Sequence, residues 1–387
     1  MALALDRRPR QAARLALRRL ALVDFRGYAG LRLEIDPRPV VLTGPNGAGK
    51  TNLLEAVSFL APGRGLRRAR LGDIDRIGGA GPWSIMARVE ADPGAVDIRT
   101  GRARAGDRER RTLQIDGSEV DSQAMLAEVV AAVWLTPAMD RLFQDGAGER
   151  RRFLDRLVVS SDPAHAAQLA RYAHALRERA KLLRAGRFDP SWLGALERQS
   201  AAAGVAVAAA RRDAVRGLSA ALIEPLAGFP RAQLTLEGQV EGWLAESPAL
   251  DVEERFAAAL SGTRQQDAET GITAIGPHRG DLVVHERTSG RLASDCSTGQ
   301  QKALLVSLIL AEARLRAAAG ERQPILLLDE VAAHLDGARR AALFEALCAL
   351  GAQAWLTGTD AATFAPLGAR AQFFTVQNAT LQRHDPA

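Results

Sequence analysis

Two short segments carry most of the chemistry legible in this chain. Gly44-Pro45-Asn46-Gly47-Ala48-Gly49-Lys50-Thr51, with Asn52 next, has the spacing of a phosphate-binding P-loop. Its three glycines let the backbone curl so that successive N–H groups face one point. Lys50 adds a cation that reaches β- and γ-phosphates, and the Thr51 hydroxyl is of the kind that ligates Mg²⁺. The second segment, Pro324-Ile325-Leu326-Leu327-Leu328-Asp329-Glu330, is an apolar run ending in two acids. Asp329 suits a Mg²⁺ position, held directly or through water, and Glu330 suits polarisation of a water beside a γ-phosphate. A Gly-rich turn and a strand capped by ordinary surface acids are the plainer alternatives, and finding both segments in one chain argues against them. The expectation is an ATP and Mg²⁺ site with Lys50 and Glu330 as the catalytic pair, and Thr51 and Asp329 as metal ligands.

These groups need strands and a helix to hold them. The run VVLTG at 40–44 reads as the strand entering the loop and NLLEAVSFL as the helix leaving it. Further strands are expected at 15–25, 31–36, 83–91, 96–104 and 111–116, the last leaving through Asp116-Gly117, and they suit an antiparallel side sheet. From about 121 the pattern turns to long Ala-, Leu- and Arg-rich helical stretches. Strand character returns at RAQLTLEG and DLVVHER. A helix from about 299, PILLLDE, a helix from 337, QAWLTG, QFFTVQ and ATLQR follow. The expected fold is therefore α/β: a split head from 15–120 and 266–387, a helical lobe inserted at 121–265, and a mobile basic tail at 1–14.

A third motif narrows the class. Cys296-Ser297-Thr298-Gly299-Gln300-Gln301-Lys302, leading into an apolar helix, resembles the signature motif of ABC-type ATPases. There a serine hydroxyl and a glycine N–H at a helix start grip a γ-phosphate. In ABC-type proteins that phosphate is bound by the opposite subunit, so the resemblance implies two composite sites in a two-fold dimer with Ser297, Thr298, Gly299 and Gln300 acting in trans. Ser-Thr-Gly before a helix is also an ordinary N-cap. Asp336 stands at the D-loop position. Thr357-Gly358-Thr359-Asp360 stands where such ATPases carry a switch residue, without a histidine, and the usual glutamine of such ATPases between the first and third motifs is not evident, VWLTP at 133–137 holding its strand. Slow hydrolysis is the expected result.

Three more segments resemble the RecF family: Leu20-Ala21-Leu22-Val23-Asp24-Phe25-Arg26-Gly27-Tyr28, Pro62-Gly63-Arg64-Gly65-Leu66-Arg67 and Ile275-Gly276-Pro277-His278-Arg279-Gly280-Asp281-Leu282. With RRRFLDRL at 150–157 the likeness covers 15–385. It implies a head similar to that of the SMC proteins, with a compact helical lobe in place of a coiled coil. It also implies ATP-dependent dimerisation on DNA, weak DNA-stimulated hydrolysis and a role in DNA repair, replication and the SOS response. RecR and RecO are the implied partners in placing recombinase at single-strand gaps. An ABC transporter subunit and an SMC-like scaffold are the rival classes; the large helical insertion argues against the first, and the lack of room for arms against the second.

Composition agrees with these classes. Net charge is +6, and Lys50, Lys181 and Lys302 are the only lysines, so the excess is arginine. An anionic partner follows if the arginines cluster. Arg64, Arg67, Arg68 and Arg70 are the primary candidates for DNA contact. Further clusters lie at Arg99 through Arg111, at Arg150 to Arg152, and at Arg171, Arg177, Arg179 and Lys181. Two cysteines, far apart, point to a reducing cytoplasm. The first twenty residues lack a sustained apolar core, and AAAGVAVAAA at 201–210 is too short to span a bilayer, so no membrane segment is expected.

Overall fold

The computed structural model describes residues 15–91, 94–105, 108–186, 189–224 and 226–384; the expected tail at 1–14 lies outside them. The chain opens with β1 (Leu15–Phe25), β2 (Tyr28–Glu34), β3 (Val40–Thr43), α1 (Lys50–Ser58), β4 (Ser84–Ala91), β5 (Gly94–Ala105), β6 (Arg108–Ile115), β7 (Ser118–Glu119), α2 (Leu126–Val129) and β8 (Ala132–Leu135). There follow α3 (Ala147–Ser161), α4 (Ala164–Ala185), α5 (Pro190–Ala221), β9 (Ala232–Glu237), α6 (Gln239–Glu246), α7 (Ala249–Gly262), α8 (Arg264–Thr270) and β10 (Asp281–Glu286). Then α9 (Thr298–Ala318), β11 (Ile325–Leu328), α10 (Gly337–Leu350), β12 (Ala354–Gly358), β13 (Gln372–Gln377) and β14 (Thr380–His384) complete it.

Two compact units result. One takes the residues up to Met139, Leu226–Phe229 and Leu305 onward; the other takes Asp140–Pro225 and Pro230–Leu304. These limits differ from 120/121 and 265/266 for identifiable reasons. Strand β8 pairs with β11, which keeps 132–135 in the first unit. Strand β10 pairs with β9 and is bound by α3 through Arg150, which keeps the chain past 265 in the second.

The first unit holds two sheets. A mixed sheet runs β14-β13-β3-β12-β11-β8, parallel except for β14. Strands β3, β8 and β11 are buried at every position, as parallel strands covered on both faces must be, which explains the unbroken apolar runs of β8 and β11 and the apolar run Val40–Leu42 that leads to Thr43 in β3. An antiparallel side sheet runs β2-β1-β4-β5-β6-β7. Strand β4 alternates buried and open residues from Ile85 to Ala91, because only one face of that sheet meets the core. Both sheets contribute to one apolar cluster that includes Phe25, Tyr28, Phe59, Trp83 and Trp355.

The second unit packs its helices around Tyr172, Val205, Trp243, Phe256 and Leu260. The Ala-rich run 201–210 lies inside α5, with Ala203, Val205, Val207 and Ala208 buried. Among the described residues no helix is long and apolar enough to cross a membrane.

Helix α9 carries one buried acid with a measurable cost. Glu312 is 2% exposed and its Oε1 has no hydrogen-bond partner. Burial pushes its pKa up from 4.5 to about 7, with Arg316 opposing and Glu321 adding to the rise. An acid whose pKa is raised on folding stabilises most at low pH, below its unfolded value, and that contribution is lost as pH rises through the folded value. Glu312→Gln is therefore expected to leave the melting temperature near pH 4.5 unchanged and to raise it at pH 8, where the stabilisation is on the order of a few kcal/mol. Parallel melting-temperature profiles for the two proteins across that range would contradict this account.

Candidate functional site

The parallel strands end along one edge: Gly358 is in register with Thr43, and Leu328 with both Leu356 and Leu135. Such an edge is where open α/β sheets bind ligands, and the sequence motifs follow directly from its strand ends. Between β3 and α1 the backbone turns through positive φ at Gly44 (141°), Gly47 (79°) and Gly49 (112°). Space as well as conformation demands glycine at two of them. A Cβ at Gly44 would run into the Val376 carbonyl, and one at Gly49 would lie 2.8 Å from the Tyr28 hydroxyl. That hydroxyl donates to the Gly49 carbonyl at 3.1 Å from a fully buried ring, and burial raises its pKa. Tyr28 thus supports the loop, a role that could not be assigned from the sequence.

Helix α1 starts at Lys50 with no side-chain cap and no acid in its first turn, which suits its N–H groups to an anion. Lys50 is 5% exposed, and its Nζ donates to the Gly44 and Pro45 carbonyls at 2.6 and 2.9 Å. Burial lowers its pKa, while Glu330 and Asp329 oppose the shift by attraction. A triphosphate in the loop would offer that ammonium stronger acceptors than two neutral carbonyls.

Opposite stands the second motif. Asp329 is buried and receives the Thr51 hydroxyl at 3.0 Å on each oxygen. It also receives the Thr357 hydroxyl at 2.7 Å on Oδ1, and its own N–H donates to the Leu135 carbonyl at 2.8 Å. The structure thus joins Thr51 and Asp329, which the sequence assigned to Mg²⁺ from segments 278 residues apart. A hydroxyl and one carboxylate are the hard oxygen donors that Mg²⁺ takes when phosphates and water complete its shell. Among the described residues no group of three or more His, Cys, Asp or Glu is arranged for a metal. Glu330 follows in a left-handed turn, φ 50°, partly open to solvent, with its N–H donating to Thr357 Oγ1 at 2.8 Å.

The arginines proposed for DNA contact separate once folded. Arg67 donates to Asn52 Oδ1 at 2.7 Å and to Glu55 at 2.9 Å, and so lies on the P-loop helix. Arg26 grips the same fully buried Glu55 at 2.8 and 2.9 Å. Arg64, Arg68 and Arg70 are exposed. After β11, Asp336 caps α10, accepting the Arg339 N–H at 2.9 Å.

In the second unit, Ser297 and Gln300 form a reciprocal cap on α9. Gln300 N–H donates to Ser297 Oγ at 3.3 Å and Ser297 N–H to Gln300 Oε1 at 3.1 Å. This is a capping box, so the ordinary helix-start reading and the signature reading describe the same four residues. Ser297 and Thr298 are exposed, while Gln301 is buried and donates to the Ser294 and Cys296 carbonyls at 3.1 and 2.8 Å. Cys296 is a buried free thiol, its pKa raised by burial.

The Gly276–Asp281 segment is bound from three helices of the same unit. Arg150 chelates Asp281 at 2.7 and 2.8 Å, Arg151 donates to the Gly280 carbonyl at 2.6 Å, Arg211 donates to the Pro277 carbonyl at 2.6 Å, and Tyr172 pairs with His278 at 2.7 Å. The clusters at Arg150 and at Gly276–Asp281, noticed separately in the sequence, are thus the two sides of one ion-paired joint.

A mixed sheet with its phosphate loop after β3, an antiparallel side sheet and an inserted helical unit before the signature helix is the architecture of ABC-type ATPase heads of the SMC kind. The model of the family described as the RecF/RecN/SMC N terminal domain matches residues 16–381. The chain is 51% identical over 366 residues, 94% of its length and 97% of the relative's, to the DNA replication and repair protein RecF of Rhizobium leguminosarum bv. trifolii. It is 50% identical over 369 residues, 94% and 98% of the two lengths, to that of Agrobacterium fabrum. The chain belongs to the RecF family of DNA replication and repair proteins. Its fold is that of a recombination mediator protein RecF solved with ATP, at a TM-score of 0.82 and 22% identity over 96% of this chain and 100% of that one. An SmcHead solved with the C-winged helix domain of ScpA is more distant, at 0.56 and 14% over 95% of this chain and 96% of that one.

Proposed function

We propose that this chain binds ATP and Mg²⁺, dimerises through that nucleotide on DNA at single-strand gaps, and helps load recombinase there with RecR and RecO, in the cytoplasm. Slow, DNA-stimulated hydrolysis resets it. The observation that carries the nucleotide half is the meeting of Thr51, Asp329 and Glu330 beside Lys50: one loop for phosphates, two oxygen donors for the metal and one carboxylate for water. When bound, Mg²⁺ would neutralise phosphate charge, with Thr51 and Asp329 holding it. Glu330 would orient and deprotonate the attacking water, Lys50 would hold the β- and γ-phosphates, and Gly44 to Asn52 would line the cradle. The serine hydroxyl and glycine N–H of Ser297–Gln300 would close on the nucleotide of a second copy, with Asp336 as D-loop residue. The relatives carry the DNA half. They are DNA replication and repair proteins, and the solved relative is a recombination mediator protein in the RecFOR pathway.

Contacts to phosphate give salt dependence, a slope of about 0.9 in log K per log salt for each duplex contact. Filter binding of gapped, single-stranded and duplex DNA is expected to show ATP-dependent binding with gapped duplex preferred. With Arg64, Arg68 and Arg70 all changed to Ala, the slope is expected to fall by about 2 to 3. An unchanged slope would move the contact elsewhere, and the exposed face of α4 with Arg171, Arg177, Lys181 and Arg184 would be next. No ATP dependence on any DNA would overturn the function itself.

A further inference from the structure

We propose that Thr357 is a positioning residue for hydrolysis: its hydroxyl holds both acids after β11 in working geometry. The inference rests on the hydrolytic function proposed above. Thr357 is fully buried one residue before the end of β12, the strand lying between β3 and β11. Its Oγ1 donates to Asp329 Oδ1 at 2.7 Å and accepts the Glu330 N–H at 2.8 Å. The roles are forced, because a carboxylate only accepts, an N–H only donates, and a hydroxyl has one proton to give.

Both contacts matter to the chemistry. Glu330 has φ 50°. A left-handed conformation is unfavourable for a residue with a Cβ and persists where surrounding contacts over-determine it. The β11 ladder ends at Leu328, and beyond it the Glu330 amide donates to Thr357. That bond fixes the direction in which the Glu330 carboxylate leaves the strand. On Asp329, Oδ1 takes the Thr51 and Thr357 hydroxyls together. The Thr51 proton is thereby committed to Asp329, which leaves the lone pairs of Thr51 for a cation.

Thr357→Val keeps the branched shape suited to a buried strand and removes the hydroxyl; Thr357→Ser keeps the hydroxyl. Five proteins are compared with the parent: these two, Glu330→Gln, Lys50→Ala and a Glu330→Gln/Thr357→Val double variant. Each is assayed for ATP affinity by titration and for DNA-stimulated hydrolysis. Amide hydrogen exchange is measured on the peptide spanning 326–334 without nucleotide. Thr357→Val is expected to lower kcat roughly 10- to 100-fold, the scale of a misplaced catalytic group, while ATP affinity stays within about threefold. Its Glu330 amide should exchange faster than in the parent, and Ser should restore both rate and protection. In the double variant the Val change should lower the residual rate by less than it lowers the parent's, since part of its effect runs through Glu330.

A Thr357→Val protein within about twofold of the parent rate, when Glu330→Gln has lost it, sinks the inference and leaves the hydrolytic function standing. Loss of ATP binding by Thr357→Val, or failure of Ser to restore the rate, also overturns it by reducing Thr357 to fold support. If Lys50→Ala and Glu330→Gln both hydrolyse like the parent, the hydrolytic function fails and the inference with it.

Discussion

A Glu330→Gln protein given ATP, Mg²⁺ and gapped DNA is expected to accumulate as a dimer at micromolar concentration, whereas the parent returns to monomer as it turns over. Glutamine keeps the side chain's length and hydrogen bonding but accepts no proton. Removing a general base of this kind slows the step by about 10²- to 10⁴-fold. Binding should survive, because Lys50, Thr51 and Asp329 make their contacts without Glu330. To move the monomer–dimer balance from 1:99 to 99:1, ATP must favour the dimer by about 5.5 kcal/mol, roughly 10⁴-fold. Several charged contacts to one triphosphate, doubled by two-fold symmetry, are of that order. Lys50→Ala removes one of them in each site and should leave monomer under the same conditions. Sedimentation velocity with and without ATP measures both proteins. Monomer alone in the Glu330→Gln sample would exclude the composite site, whatever the rate of hydrolysis.

The edge proposed for the nucleotide was legible because each of its parts is local. A Gly-rich loop, a continuous apolar strand and an acid at its end can be read within eight residues, and β8 and β11 betray two-sided burial by having no polar positions, β3 having only Thr43 at its end. Elements outside the site were equally plain where period and turn residues agreed, as in β4 and the hairpin turn at Asp116-Gly117. What stayed hidden depends on register between distant segments. Nothing in QAWLTG says that Thr357 will face Asp329; that follows from the pairing of Leu328 with Leu356. Tyr28 belongs to a segment noticed for its likeness to a family, yet its support of Gly49 across 21 residues is a tertiary fact. Unit limits were hard for the same reason, since the pairing of β8 with β11 joins segments far apart in the chain.

Arginine shows the limit most sharply. The sequence groups Arg179 with Arg171, Arg177 and Lys181 as one cationic stretch, and folding separates them: three stay exposed while Arg179 is fully buried. Its guanidinium donates to Glu197 at 3.1 Å, to Asp267 at 2.6 Å, to Thr273 at 3.3 Å and to the Leu260 carbonyl at 2.5 Å, so it ties α4 to α5, α7 and α8. Arg179→Met is accordingly expected to destabilise the helical unit by about 3–5 kcal/mol, the cost of leaving buried charge without its partner. Glu197 would keep Arg264, but Asp267 would keep only the Thr263 hydroxyl at 3.0 Å, and its Oδ1 already lacks a partner. The measurement is the denaturant midpoint of that unit together with amide exchange in α4, α5 and α8. Adding Asp267→Asn to Arg179→Met should recover a large part of the loss, because a neutral amide costs far less to bury than an unpaired carboxylate. If the double variant were instead as unstable as the sum of the two single changes, the loss would come from packing around the methylene stem, and the charge would have to be removed from the account.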